Sequence, residues 1–220
     1  MQLTVFNGSP RNKKSNSKIL MEYFLEGYAK VKSEPVSIYY LANTALMDEH
    51  VAAFKAAHTV IFIFPLYADS MPGLVKEFFE RIAPLPDMEG KRVAFIVQSG
   101  FPEAIHSIYV ERYLKKLSAR CNFDYLGTLI KGGVEGIQVM PSSMTGKLFN
   151  SFRNLGEFFA RENQFDPGIV DSLRKPLRMS KTRLFFFNVG CKIGLANMYW
   201  NMNLKKNKAY HIRDARPFVE

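Results

Sequence analysis

Cysteine is nearly absent from this 220-residue chain: Cys121 and Cys191 are the only two, with no CxxC spacing and no His/Cys cluster nearby. That excludes a disulfide framework and gives no support to a zinc or iron–sulfur site. The two thiols are expected to be buried, and no metal is expected. Long apolar runs are missing as well, since none reaches the roughly 18 residues a membrane-crossing helix requires. Met1 leads straight into the strand-like Gln2 to Phe6 without the apolar core of a signal peptide, so a cytoplasmic location is expected. The four histidines, His50, His58, His106 and His211, lack triad or ligand spacing and read as surface or core residues. Acidic residues are scarce in one region only. Ser172 to Glu220 holds 11 of the 30 Lys and Arg residues and, of 20 acids, only Asp214 and Glu220, which gives that stretch a net charge of +9 beside a nearly neutral body. With 47% hydrophobic residues the chain can build one well-buried core. Two pieces are therefore expected, a main domain over residues 1–171 and a basic, aromatic-rich extension over 172–220.

What is present alternates. Gln2 to Phe6, Val36 to Leu41, Thr59 to Phe64, Lys91 to Gln98 and Phe123 to Lys131 read as strands, and the nearly continuous apolar runs Thr59–Phe64 and Val93–Val97 suit strands covered on both faces. Between them, Ile19, Leu20, Tyr23, Phe24 and Tyr28 repeat with helical spacing behind the capping residues Ser15, Asn16 and Ser17. Asp48–Ala57 is a short helix. Pro72 opens another, with an apolar face of Leu74, Val75, Phe78, Phe79 and Ile82, which Pro84 ends. Pro102–Ala119, with Ile105, Ile108, Tyr109, Tyr113 and Leu117, and Ser143–Arg161 complete the set. Strands alternating with helices imply right-handed crossovers and a doubly wound, five-stranded parallel sheet, and the order 2-1-3-4-5 suits this length. A ligand then belongs at the carboxyl ends of strands one and three.

Three loops reach that place: Asn7–Ser17, Pro65–Gly73 and Gln98–Glu103. The first combines small residues, hydroxyls, Arg11 and a helix start, a mixture suited to phosphate, because free N–H groups and the helix dipole favour an anion there. It has neither the Gly-Lys-[Ser/Thr] ending of a triphosphate loop nor GxGxxG, so a monophosphate fits best; an ordinary capped loop is the alternative. The second loop is long enough to curl around a flat ring, with Leu66, Tyr67 and Met71 as apolar faces and the backbone of Pro65 to Ala68 as hydrogen-bonding edge. Tyr67 as a packing residue is the alternative. The third brings Ser99, Gly100 and Phe101 to the other side, Gly100 serving either the ligand or a tight turn. His106 lies close by.

Phe6-Asn7-Gly8-Ser9-Pro10-Arg11 with Ser15-Asn16-Ser17, and Phe64-Pro65-Leu66-Tyr67 with Pro72-Gly73-Leu74-Val75-Lys76-Glu77-Phe78-Phe79-Glu80-Arg81, resemble the flavodoxin-like NAD(P)H-dependent FMN reductases over roughly residues 1–131. The resemblance implies that Ser9, Arg11, Ser15, Asn16 and Ser17 hold the FMN phosphate. It further implies that Pro65, Leu66, Tyr67 and Ser70 line the isoalloxazine and that Ser99 and Gly100 close the pocket. No residue is then needed as catalytic acid or base, because flavin N5 takes the hydride from NADH or NADPH and passes electrons to a quinone, free flavin or similar small acceptor. The second loop has no cysteine, unlike the iron–sulfur branch of the family, and Val75 departs from the smaller or polar residue of many relatives.

Two other functions compete. A one-electron carrier would bind FMN without turnover, yet such carriers tend to be acidic and this body is neutral. A flavin-free interaction module would keep only the fold. In the extension, Leu184 to Asn203 is aromatic-rich, bordered by basic residues and too broken by polar ones to span a membrane. Homodimer packing ranks first for it, docking on its own domain second, a membrane surface or acidic partner third. Nucleic acid is not expected, since no binding motif accompanies the charge.

Overall fold

The structure is a computed structural model that describes residues 2–85, 89–194 and 197–216. It divides into two compact units, Met1–Arg178 and Met179–Glu220. The first contains five strands, β1 (Leu3–Asn7), β2 (Ser37–Tyr40), β3 (Thr59–Pro65), β4 (Arg92–Gln98) and β5 (Asp124–Lys131), all parallel in the order β2-β1-β3-β4-β5. Among the described residues six α-helices accompany them: α1 (Asn16–Tyr28), α2 (Met47–Ala56), α3 (Gly73–Ile82), α4 (Ile108–Arg120), α5 (Ser142–Glu162) and α6 (Pro167–Arg174).

The strands are buried on both faces because their apolar residues alternate between two cores. Val60, Phe62 and Phe64 of β3 join Phe6, Val93, Phe95 and Val97 on the face covered by α2, α3 and α4. Ile61 and Ile63 join Leu3, Val5, Ala94 and Ile96 under α1, α5 and α6. One row of rings crosses the whole sheet on the first face: Tyr39–Phe6 at 5.3 Å, Phe6–Phe62 at 5.2 Å, Phe62–Phe95 at 5.8 Å and Phe95–Tyr125 at 6.2 Å between centroids. On the second face α1 and α5 touch backbone to backbone. A Cβ on Gly27 would lie 1.8 Å from the Arg153 carbonyl oxygen, and one on Gly156 1.9 Å from that of Phe24.

Local chemistry sets the helix ends. Ser15 caps α1 by accepting from the Lys18 N–H at 3.1 Å. Asp166 caps α6 by accepting from the Ile169 N–H at 2.8 Å, with Pro167 in the first turn. Two expectations are corrected. The helix over 102–119 begins only at Ile108, after a 3-10 turn at Ala104–Ser107, and its buried side is Val110, Leu114 and Ser118 while Tyr109 and Tyr113 are exposed. Both cysteines are free, but Cys121 is half-buried and Cys191 exposed, so Cys191 is not a core thiol. The apolar stretch of the tail forms two helices, α7 (Lys181–Lys192) and α8 (Met198–Lys206), with Gly194 at φ +80° between them; Leu195 and Ala196 lie outside the described residues. Among the described residues no helix is long and apolar enough to cross a membrane.

Candidate functional site

At the carboxyl end of β1 the chain turns at Gly8, whose N–H donates to the Ile63 carbonyl at 2.8 Å and ties the loop to β3. A Cβ there would stand 2.3 Å from Val75 Cγ2 and 3.1 Å from Phe64 Cβ, so glycine lets the loop lie against α3. Val75 is thus the residue that closes this contact. Around Gly8 several polar residues are buried rather than solvated: Asn7, Ser9, Ser15, Asn16 and Ser17 between β1 and the first turn of α1, and Gln98 and Ser99 at the end of β4. Burial without partners is costly, so each side chain's bonds are informative.

Asn7 Oδ1 accepts from the Ser9 N–H at 2.9 Å, while Asn7 Nδ2 has no partner. Ser9 Oγ accepts from the Arg11 N–H at 3.4 Å, and Ser17 Oγ accepts from Gln98 Nε2 at 3.3 Å. Each of these two hydroxyls therefore still has a proton to donate. Ser15 Oγ is fully used, donating to the Asn12 carbonyl at 2.7 Å while it caps α1. Asn16 is engaged at both ends: its Nδ2 donates to the Val134 carbonyl at 2.9 Å and its Oδ1 accepts from Gln138 Nε2 at 3.0 Å. What Asn16 offers a ligand is its backbone N–H, one of those in the first turn that no helix carbonyl can satisfy. Arg11 Nη1 stands 4.0 Å from Glu135 Oε1, both side chains about half exposed.

In the second loop the Leu66 N–H donates to the Gln98 carbonyl at 2.7 Å, fixing the loop root to β4. Tyr67 and Ser70 then exchange backbone hydrogen bonds of 2.9 Å around Ala68 and Asp69, whose φ angles are +46° and +57°. Two non-glycine residues in the left-handed region cost roughly 1–2 kcal/mol each, a local strain of the kind held at ligand clamps. Tyr67 projects from this turn 44% exposed, whereas Leu66 and Met71, expected as stacking surfaces, belong to the core. Ser70 is exposed and its backbone is committed to Tyr67.

The third loop is bound to the one after β5, a fourth loop beyond the three expected at this place. Ser99 N–H donates to the Lys131 carbonyl, Val134 N–H to the Ser99 carbonyl, each at 3.0 Å, and Gly133 N–H to the Phe101 carbonyl at 2.8 Å. Ser99 Oγ donates to the Phe101 carbonyl at 3.2 Å. Beyond them the Ala104 and Ile105 N–H groups donate to the Pro176 and Leu177 carbonyls at 3.0 and 3.1 Å. His106 stacks on Phe101 at 4.4 Å, with Glu103 Oε2 3.7 Å from its Nε2. Lys131, on the same rim, has its ammonium pKa pushed down by burial.

These loops enclose about 50 Å³ lined by Ser9, Arg11, Asn16, Pro65, Leu66, Tyr67, Ser99 and Gly100, together with Gln98 and Glu135. Of the residues proposed from sequence, Ser15 and Ser17 stand behind this lining as helix cap and Gln98 partner, and Ser70 stays outside it. Glu135 and Gln138 were not among the expected residues, and Gln98 was expected only as the start of the third loop; Gly132-Gly133 and Gly136 after the last strand are the sign in the sequence of a rim loop. A wider cleft of about 600 Å³ beside Tyr23 and Phe149 is lined by the buried Ile137 and otherwise by partly exposed residues, and has no comparable set of buried donors. Among the described residues no group of His, Cys, Asp or Glu is arranged to hold a metal ion.

A family model described as "Flavodoxin-like fold" matches residues 1–146. Among solved structures, an FMN-dependent NADH-azoreductase from Bacillus anthracis in complex with FMN is similar at TM-score 0.57 and 17% identity, covering 73% of this chain and 100% of that one. An NADPH-quinone reductase from P. pentosaceus gives 0.55 and 16%, covering 70% and 96%. An NAD(P)H:quinone oxidoreductase from Methanothermobacter marburgensis gives 0.54 and 15%, covering 71% and 96%. At such identities the likeness is one of fold. No curated protein matches the sequence.

Proposed function

The chain belongs to the flavodoxin-like fold family, and from that premise we propose that it is an FMN-dependent oxidoreductase, passing a hydride from NADH or NADPH by way of the flavin to a quinone, a flavin or a similar small acceptor. The observation that carries the reading is the buried polar cradle at the ends of β1, β3 and β4. Ser9 and Ser17 keep hydroxyl protons to donate, Asn7 keeps an unpartnered amide N–H, and the first turn of α1 adds backbone N–H groups at the positive end of its dipole. Of these donors Ser9 lines, with Arg11 and Asn16, the space of about 50 Å³, which suits a phosphate-sized anion, while Asn7 and Ser17 stand outside that lining. The FMN, NADH and NADPH named for structures of this fold support the same ligand class.

What FMN supplies when bound is the hydride-accepting atom, N5. The chain's part is to bind and orient. Ser9, Ser17, the α1 N-terminus and Arg11 would hold the phosphate, Arg11 exchanging Glu135 for a stronger anion. Tyr67, with the Leu66 carbonyl and the Gly100 backbone, would hold the ring, since the N–H groups of Leu66, Tyr67 and Ser99 are already donated within the loops. The two free cysteines suit a cytoplasmic location.

A second reading, a flavin-free interaction module, has two observations in its favour: Arg11 already faces a carboxylate, and the Asn16 side chain is tied to Val134 and Gln138. A visible spectrum of the purified protein with added FMN, followed by anaerobic titration with NADH and NADPH, separates the possibilities. The proposal expects bound flavin that bleaches with one nucleotide. Bound flavin inert to both would make the protein an electron carrier, and no flavin bound at micromolar FMN would leave the interaction module.

A further inference from the structure

The second unit, Met179–Glu220, presents side chains that the flavin reading leaves without a task. α7 buries none of its residues, although it contains Leu184, Phe185, Phe186, Phe187 and Val189. At about 100° per residue these five point to all sides of the helix, so no single neighbouring element of its own could cover them. α8 adds Met198, Trp200 and Met202, also exposed, Trp200 at 63%. From Met179 through Arg213 the chain has no Asp or Glu and seven Lys or Arg: Lys181 and Arg183 before the apolar residues, Lys192 among them, and Lys205, Lys206, Lys208 and Arg213 after.

An occupant of this surface must take up aromatic rings and meet dense positive charge together. A second copy of the same unit would supply rings but would bring like charge to like. A nucleic acid would meet the charge and leave Leu184, Val189, Met198 and Met202 in water. We propose that this unit docks on an anionic phospholipid surface, where headgroup phosphates meet the flanking Lys and Arg residues and the Phe and Trp rings enter the acyl boundary. With 12 and 9 residues, α7 and α8 are roughly 18 and 14 Å long, well short of the ~30 Å hydrocarbon layer, so they lie in the interface and do not cross it.

The chain contains a single tryptophan, Trp200, which makes its emission a reporter of this unit alone. The full-length protein is mixed with vesicles of phosphatidylcholine alone and of phosphatidylcholine with phosphatidylglycerol. With the mixed vesicles the protein is expected to co-sediment, with Trp200 emission shifting to the blue and quenched by brominated acyl chains; on phosphatidylcholine alone binding drops steeply. Changing Lys205→Gln and Lys206→Gln together is expected to weaken partitioning roughly thirty-fold, at about 1 kcal/mol per basic residue near the surface. Failure to co-sediment with mixed vesicles overturns the proposal, as does co-sedimentation without bromolipid quenching. Emission already blue in buffer, in a particle of two chains, would assign the face to a second copy and overturn it too. Preference for duplex DNA over the vesicles would do the same. None of these readouts depends on flavin, so the proposal stands or falls apart from the proposed oxidoreductase activity.

Discussion

Ser17 links two parts of the cleft at the scale of one hydroxyl, accepting from Gln98 Nε2 while its proton stays available. Ser17→Ala removes both roles, and FMN affinity is expected to fall about five- to ten-fold, the worth of one hydrogen bond of roughly 1–1.5 kcal/mol; a flavin-fluorescence titration measures it, and unchanged affinity would take Ser17 out of the site. His50 matters to stability instead. It is buried, edge-on to Tyr39 at 5.8 Å, with Nδ1 unpartnered, and burial pushes its pKa down from 6.5 against a smaller upward pull from Glu49. Between that lowered value and 6.5 the unfolded chain binds a proton that the folded chain refuses. Stability is therefore full above about pH 6.5 and declines as pH falls below it. Urea unfolding at pH 7 and at pH 5 should show this loss, and His50→Phe should shrink the difference between the two. The loop that carries Ser9, Arg11 and Ser15–Ser17 was legible in sequence because these residues are neighbours whose chemistry is local. The Val134 and Gln138 contacts to Asn16 were not, since they join residues 118 and 122 positions apart.

The contact of α1 with α5 shows how one element sets another's place. Gly27 and Gly156 each lie against the opposite helix's backbone, so Gly156→Ala must push the helices apart. A loss of about 1–3 kcal/mol is expected, with weaker FMN binding because the first turn of α1 moves with its helix. Gly146→Ala, in the same α5 but with nothing within 4 Å of the new Cβ, is the control; it should be neutral or stabilising by up to about 1 kcal/mol through helix propensity. Differential scanning calorimetry compares the two. The ring row across the sheet predicts a larger effect: Phe62, between Phe6 and Phe95, is fully buried, and Phe62→Ala should cost about 3–5 kcal/mol, read as a lowered urea midpoint. Strands were legible because their apolar runs are short, β-branched or aromatic and bounded by turn residues. α4 was placed too early because Ile105, Ile108 and Tyr109 mimic a helical face, whereas Ala104 and Ile105 are held by the 176–177 segment. α6 escaped notice although Asp166-Pro167 is a sound helix start, because its eight residues carry only a brief apolar pattern.

For the whole molecule, both cores are complete by Leu173, and no described residue of the second unit belongs to either. A chain ended after Arg178 is thus expected to fold, to melt within a few degrees of the full chain and to bind flavin with the same affinity. Melting followed by circular dichroism and a flavin titration check it; a collapse in either would show that the first unit needs the second. The change of composition near residue 172 was plain in the sequence, yet the first unit continues to Arg178 because Pro176 and Leu177 accept hydrogen bonds from the loop that follows β4. That attachment has a mechanical meaning. A load on the tail enters the first unit at Arg178 and is borne first by two hydrogen bonds worth about 1 kcal/mol each, both anchored just beyond Ser99 and Gly100. They would give way long before the parallel sheet, so a tethered tail tugs on the rim of the cleft and spares the scaffold behind it.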